Sequence, residues 1–244
     1  MPEKFLEICA ASYVSAKAAQ LAGANRVELC TNLQEGGTTP SYGQIAKTVE
    51  LPNIAVYVLI RPRAGDFCYS TDEFEIMKED ILLCRDLACD GVVIGLLLPN
   101  GRVDLPRTRE LVELAEPMKV TFHRAFDTTR DPLEALEDII TCGCERILTS
   151  GQKNTAEEGK KLIKQLVEKS AGRIRIMVGS GVNADNIATL AAYTGASEFH
   201  TSAKGAVPSH MTYQNPDLKN MGAVQESLVG QIRAVMERIK KIKN

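Results

Sequence analysis

The reactive side chains of this chain stand at the ends of short apolar runs. Leu6-Glu7-Ile8-Cys9 and Val27-Glu28-Leu29-Cys30 each close on a thiol with a carboxylate two residues earlier. Val120-Thr121-Phe122-His123 and Glu198-Phe199-His200-Thr201 place two of the three histidines in similar positions. If the runs are strands, alternation puts Glu7 on one face with Cys9, and Glu28 on one face with Cys30. Two thiolates on adjacent strands form a soft, low-coordinate pair suited to Cu(I) rather than to hard cations. His123 and His200 can move protons or bind ligands near neutral pH. A carboxylate inside a fold needs a counterion, and Arg61, Arg63 and Arg124, which also follow apolar runs, are the obvious cations for Glu7 and Glu28.

The elements that would carry these groups repeat. About eight apolar runs, including Val58-Leu59-Ile60-Arg61, Val92-Val93-Ile94-Gly95, Ile147-Leu148-Thr149-Ser150 and Ile176-Met177-Val178-Gly179, alternate with helix-like stretches. Alternating strands and helices imply parallel pairing, and eight units in 244 residues predict a TIM (β/α)8 barrel forming a single domain over residues 1–244. The polar residues closing the runs then gather at one rim, where such barrels keep their chemistry. Ser12 and Gly23 bracket a first helix with Val14, Ala18, Leu21 and Ala22 on one face, and Asp131-Pro132 opens the fifth. Residues 208–222 read as irregular, followed by an amphipathic C-terminal helix over about 223–242. That helix either covers the barrel or meets a partner subunit.

Gly179-Ser180-Gly181 after the seventh run and Thr201-Ser202-Ala203-Lys204-Gly205 after the eighth fall where barrels often bind phosphate through backbone N–H groups. Arg61, Arg63, Arg124, Ser180 and His200 are accordingly the candidate anion or substrate site, and Glu7, Glu28 and His123 the candidate catalytic groups. A formal net charge of −2 provides no basic field for nucleic acid, and no apolar run is long enough to span a membrane. Seven scattered cysteines without a Cys-x-x-Cys pair argue for reduced thiols in the cytoplasm rather than a disulfide framework. Cys142 and Cys144 precede the sixth run, on the opposite, stability-bearing face, and Cys68 lies in the third loop.

Several strings together resemble the CutC family of copper homeostasis proteins: Val27-Glu28-Leu29-Cys30, Glu35-Gly36-Gly37-Thr38-Thr39-Pro40-Ser41, Ile60-Arg61-Pro62-Arg63, Thr121-Phe122-His123-Arg124-Ala125-Phe126-Asp127, Arg146-Ile147-Leu148-Thr149-Ser150-Gly151 and Glu198-Phe199-His200. The resemblance implies a cytoplasmic barrel, a homo-oligomer (dimer or tetramer), and copper handling with Cu(I) held by Cys9 and Cys30. No role transfers to Cys68, Cys142 or Cys144. The alternative is a metal-independent enzyme acting on a small anionic metabolite, phosphorylated or not, with Arg61, Arg63 and Ser180 on the anion. A noncatalytic scaffold is the third reading, suggested by the final helix.

Overall fold

The computed structural model describes residues 4–213, 215, 217 and 224–242. Eight strands form a closed parallel barrel in sequence order: β1 (Phe5–Ala10), β2 (Arg26–Leu29), β3 (Ala55–Leu59), β4 (Gly91–Ile94), β5 (Lys119–Phe122), β6 (Arg146–Thr149), β7 (Arg175–Val178) and β8 (Glu198–Thr201). Helices α1 (Tyr13–Ala22), α2 (Tyr42–Thr48), α3 (Thr71–Asp86), α4 (Leu105–Ala115), α5 (Pro132–Thr141), α6 (Ala156–Ser170) and α7 (Ile187–Thr194) follow successive strands, and α8 (Val229–Lys241) closes the chain. The (β/α)8 expectation holds, and all eight apolar runs are strands.

Alternation decides what each strand contributes. Leu6, Ile8, Val27, Val56, Val58, Val92, Ile94, Ile147, Val178 and Phe199 join the large buried cluster beneath the helices. The opposite face points into the barrel, where Cys9, Cys30, Tyr57, Leu59 and Val93 form a separate small cluster. Local signals set the helix ends as read. Ser12 accepts from the Ser15 N–H at the start of α1, Gly23 closes it at φ 81°, and Asp131 caps α5 with Pro132 in the first turn.

Two expectations are corrected. The buried face of α1 consists of Ser15, Ala16, Ala18 and Ala19, whereas Val14 and Leu21 are 59% and 55% exposed. Small residues there let the helix lie close to the barrel. The C-terminal helix begins at Val229, not near 223, because Val224–Ser227 forms a strand, β10, paired antiparallel with β9 (Lys204–Val207). The Ser15 hydroxyl accepts from the Ser227 N–H and the Ala203 carbonyl accepts from the Leu228 N–H, so these residues serve the hairpin rather than a helix turn. The expected irregular segment lies mostly outside the described residues; at 208–213, 215 and 217 no helix or strand forms.

The lower barrel interior is ionic. The Arg26 guanidinium donates through Nε to Glu7 and through Nη2 to Glu198 Oε2 at 2.9 Å. Arg146 donates to the same Glu198 oxygen and, at 3.1 Å, to Thr121 Oγ1. Both guanidiniums lie over the Tyr57 ring, at 4.9 and 5.4 Å. Two buried cations thus meet two buried carboxylates, and Arg146 also reaches the partly exposed Glu145 at 3.2 Å. Burial would push the Glu7 carboxyl up, but the charge of Arg26 and the bond from His200 outweigh it and hold Glu7 well below the usual carboxylate range.

Arg26→Met should therefore cost about 3–5 kcal/mol near neutral pH, because it leaves the buried Glu7 without a guanidinium and Glu198 with Arg146 alone. Glu7 has a depressed folded-state pKa, so its stabilisation is complete above the ordinary value of 4.5 and is lost as pH falls below it. The difference between wild type and variant in urea unfolding should shrink over that acid range, and a difference independent of pH would assign the loss to packing instead. A second test concerns α6, where a Cβ on Gly159 would lie 1.9 Å from the Ser150 carbonyl oxygen. Helix propensity alone gives Gly→Ala a gain of about 1 kcal/mol. The backbone clash should reverse the sign, giving a loss of roughly 1–3 kcal/mol in the same assay.

Candidate functional site

Strand register assembles the thiol site. Cys9 pairs with Glu28 across β1 and β2, while Glu7 pairs with His200 across β1 and β8. Cys30 follows β2, its N–H donating to the Ala10 carbonyl, and the two sulfurs lie 3.8 Å apart. One donor atom from each of Cys9, Glu28 and His200 falls within 4.8 Å of the others, all three side chains being buried. The His200 ring is held through Nδ1 by Glu7 Oε1 at 2.7 Å, and its Nε2 stands 3.6 Å from Glu28 Oε2. A carboxylate on one imidazole nitrogen with the other turned toward a donor cluster is the common second layer of metal sites. The loop after β2 closes over the cluster. A Cβ on Gly37, whose φ is +89°, would lie 2.8 Å from Leu59 Cδ2 and 3.5 Å from Cys30 Cβ, so a glycine is required there.

These groups set one another's protonation. The hydrogen bond with Cys30, burial and the Glu28 charge all raise the Cys9 thiol. Burial and the Glu7 charge push Glu28 up against the pull of His200. Burial opposes charge on His200, yet the bond to Glu7 and the charges of Glu28 and Glu7 raise it overall. A metal entering here displaces thiol protons.

The expected counterions are reassigned. Glu7 is paired by Arg26 rather than by Arg61, Arg63 or Arg124, and Arg146 joins the layer through Glu198. Arg63 turns away to Glu73, Asp66 and the Cys68 carbonyl and does not line the rim cavity. Arg61 is buried, donating through Nη1 to the carbonyls of Glu35 and Gly37 and through Nη2 to that of Gly65 at 2.8 Å, so it clasps the loops after β2 and β3. Arg124 pairs with Asp127 at 2.8 Å and with Ser150 Oγ at 2.9 Å. The Ser180 hydroxyl is engaged with the Asn154 carbonyl at 2.6 Å, which leaves only its backbone for an anion.

His123 follows β5, and its Nδ1 accepts the Ala125 N–H at 3.1 Å, which places the ring proton on Nε2. Burial and the nearby Arg61 charge push its pKa down to about 3. The neutral ring is a donor near pH 7, not a group that titrates there. Its space depends on Gly95, where a Cβ would lie 2.4 Å from the ring. Cys9, Cys30, Glu28, His123, His200, Arg61, Arg124 and Ser180 all line one cavity of about 730 Å³ at the barrel mouth. His210 is exposed outside it, and Cys142 is buried, bonded to the Leu105 carbonyl.

Arg26, Arg146 and Glu198 escaped the sequence reading because they begin their runs and looked like boundaries. Parity could have found Arg26, which shares a face with Glu28 and Cys30.

The sequence profile of the CutC family matches residues 4–205. A CutC family protein of Chromobacterium violaceum is 52% identical over 246 residues, covering 98% of this chain and 99% of that one. A relative of the same name in Bacteroides fragilis is 48% identical, covering 98% and 96%. Among solved structures, CutC of Streptococcus agalactiae, named for copper homeostasis, matches with a TM-score of 0.78 at 38% identity, covering 82% of this chain and 98% of its own. Phosphoribosylanthranilate isomerase of Pyrococcus furiosus, 12% identical with a TM-score of 0.58, shares the fold alone. On the profile and on relatives matched over nearly their whole length, the chain belongs to the CutC family.

Proposed function

We propose that this protein serves copper homeostasis by taking up Cu(I) between Cys9 and Cys30, with His200 and Glu28 beside the thiol pair. The observation that carries the reading is the 3.8 Å separation of two buried sulfurs opening into the rim cavity. At the roughly 2.3 Å metal–sulfur distance of thiolate sites, sulfurs so placed subtend about 110° at a shared ion. That angle is bent rather than linear, which leaves room for a third donor. The ionic layer beneath keeps Glu7 ionised and its bond to His200 in place. Soft thiolates select Cu(I) over hard cations, and no redox step is needed for uptake.

The proposal includes a cytoplasmic setting, supported by seven cysteines that are all free thiols, and assembly as a homo-oligomer. The apolar Val14 and Leu21 exposed on α1 offer that assembly a surface.

In anaerobic Cu(I) titration against a chromogenic chelator, the wild type should bind one ion per chain. Cys9→Ser/Cys30→Ser should lose at least about 100-fold in affinity, and His200→Ala about 10-fold. Equal affinity in the wild type and the double variant would end the copper reading.

A further inference from the structure

Five side-chain atoms among the described residues are buried without a hydrogen-bond partner: Gln44 Oε1, Arg61 Nε, Tyr69 Oη, Thr108 Oγ1 and His123 Nε2. Of these residues, Arg61 and His123 line the rim cavity, and both atoms are donors. Each residue is 5% exposed. The Nδ1 bond to Ala125 fixes the His123 proton on Nε2, so this atom can donate but cannot accept. Arg61 spends its Nη groups on backbone carbonyls, and among the described residues no carboxylate lies within the 4.0 Å of an ion pair. It is a buried cation without a counterion. The two residues share Phe67, whose ring centroid is 5.0 Å from that of His123 and 5.2 Å from the Arg61 guanidinium carbon.

A buried charge and a buried N–H without partners are each costly, and native interiors satisfy such groups with protein, water or ligand. The Tyr69 hydroxyl lies beside the Arg61 guanidinium without a hydrogen bond to it, and a single acceptor class entering the cavity satisfies both donors. The cavity, at about 730 Å³, is far larger than one metal ion requires and falls in the range of metabolite pockets. Leu33, Leu59 and Leu148 give it an apolar wall.

We propose that the cavity binds a small organic anion, its oxyanion group accepting from Arg61 Nε–H and His123 Nε2–H over the Phe67 ring, at a site that does not use the thiol pair. Two donors from two residues suit the two oxygens of a carboxylate, and phosphate presents the same chemistry. In this arrangement His123 polarises the ligand as a neutral donor, burial and the Arg61 charge keeping it unprotonated. The site stands whether or not copper binds at Cys9 and Cys30.

The test is titration of the full chain with succinate, pyruvate and inorganic phosphate at constant ionic strength, following the His123 Nε2–H resonance by NMR. At least one anion should shift that resonance saturably. Response to succinate or pyruvate assigns a carboxylate ligand, and response to phosphate alone assigns a phosphorylated one. His123→Asn retains an acceptor for the Ala125 N–H but cannot reach the Nε2 position, and should weaken binding at least 10-fold. His123→Gln, whose amide reaches further, should recover most of it. Cys9→Ser/Cys30→Ser should bind the anion as the wild type does, which separates this site from the copper reading. Absence of saturable binding by all three anions, or His123→Asn binding as tightly as wild type, would overturn the proposal. The wild-type resonance needs no variant, so a His123→Asn protein that fails to fold leaves the test decisive.

Discussion

The interior of this barrel depends on one carboxylate. Glu7 is shared between the Arg26 guanidinium, which it neutralises, and the His200 ring, which it orients. A buried carboxylate with a single partner would carry a desolvation cost close to what the partner returns. With two partners and a second ion pair, Arg146 with Glu198, adjoining it, Glu7 sits in a network that runs outward to Glu145. The thiol site above inherits its geometry from that layer. His200 Nδ1 is committed downward, so Nε2 faces Glu28 and Cys9.

Much of this was legible in the sequence, for a specific reason. A parallel strand buried on both faces reads as an apolar run, and the residue ending it must be tolerated at a polar rim. That contrast exposed Cys9, Cys30, His123 and His200. It failed at the opposite ends of the strands, where Arg26, Arg146 and Glu198 begin apolar runs and resemble ordinary surface residues. Their burial follows from barrel closure, which brings β8 against β1 and β6 against β7, long-range facts that no local window carries. The same limit explains α1, where hydrophobicity favoured Val14 and Leu21 but close packing selected alanine and serine. At the C-terminus, Val224 fitted the helical period of the residues after it, and only pairing with Lys204–Val207 made it a strand.

The rim arginines show why residue type alone misassigns roles. Arg61, Arg63 and Arg124 share a neighbourhood in sequence with the anion loops, yet each solves a different problem. Arg63 fastens its own loop to the first turn of α3, where Ser70 and Glu73 form a capping box. Arg124 and Asp127 bind the turn after β6, with Asp127 accepting from the Ser150 and Gln152 N–H groups. Arg61 ties together two loops through their carbonyls, which orders backbone but leaves its charge unbalanced. Carbonyl oxygens satisfy hydrogen bonds without supplying a counter-charge. That distinction separates a structural arginine from one that still calls for an anion.

Charge balance then links the two ends of the cavity. Arg26 and Arg146 are met by Glu7 and Glu198, with Glu145 on the outer side of Arg146, and Glu28 faces His200 at 3.6 Å. With protonated thiols, the buried part of the wall carries the positive charge of Arg61, and Lys204 adds an exposed ammonium at the cavity edge. Two thiolates around Cu(I) would form a centre of net charge −1, and an organic anion at Arg61 and His123 would add another. Arg61 already grips the carbonyl of Gly37, the residue that packs on Cys30, so the cation lies next to the loop covering the sulfurs. Both proposed occupants would therefore lie close to the same buried cation. Like charges in a low-dielectric cavity repel, so if both proposed sites fill, occupancy of one would weaken the other unless protons enter with the second ligand.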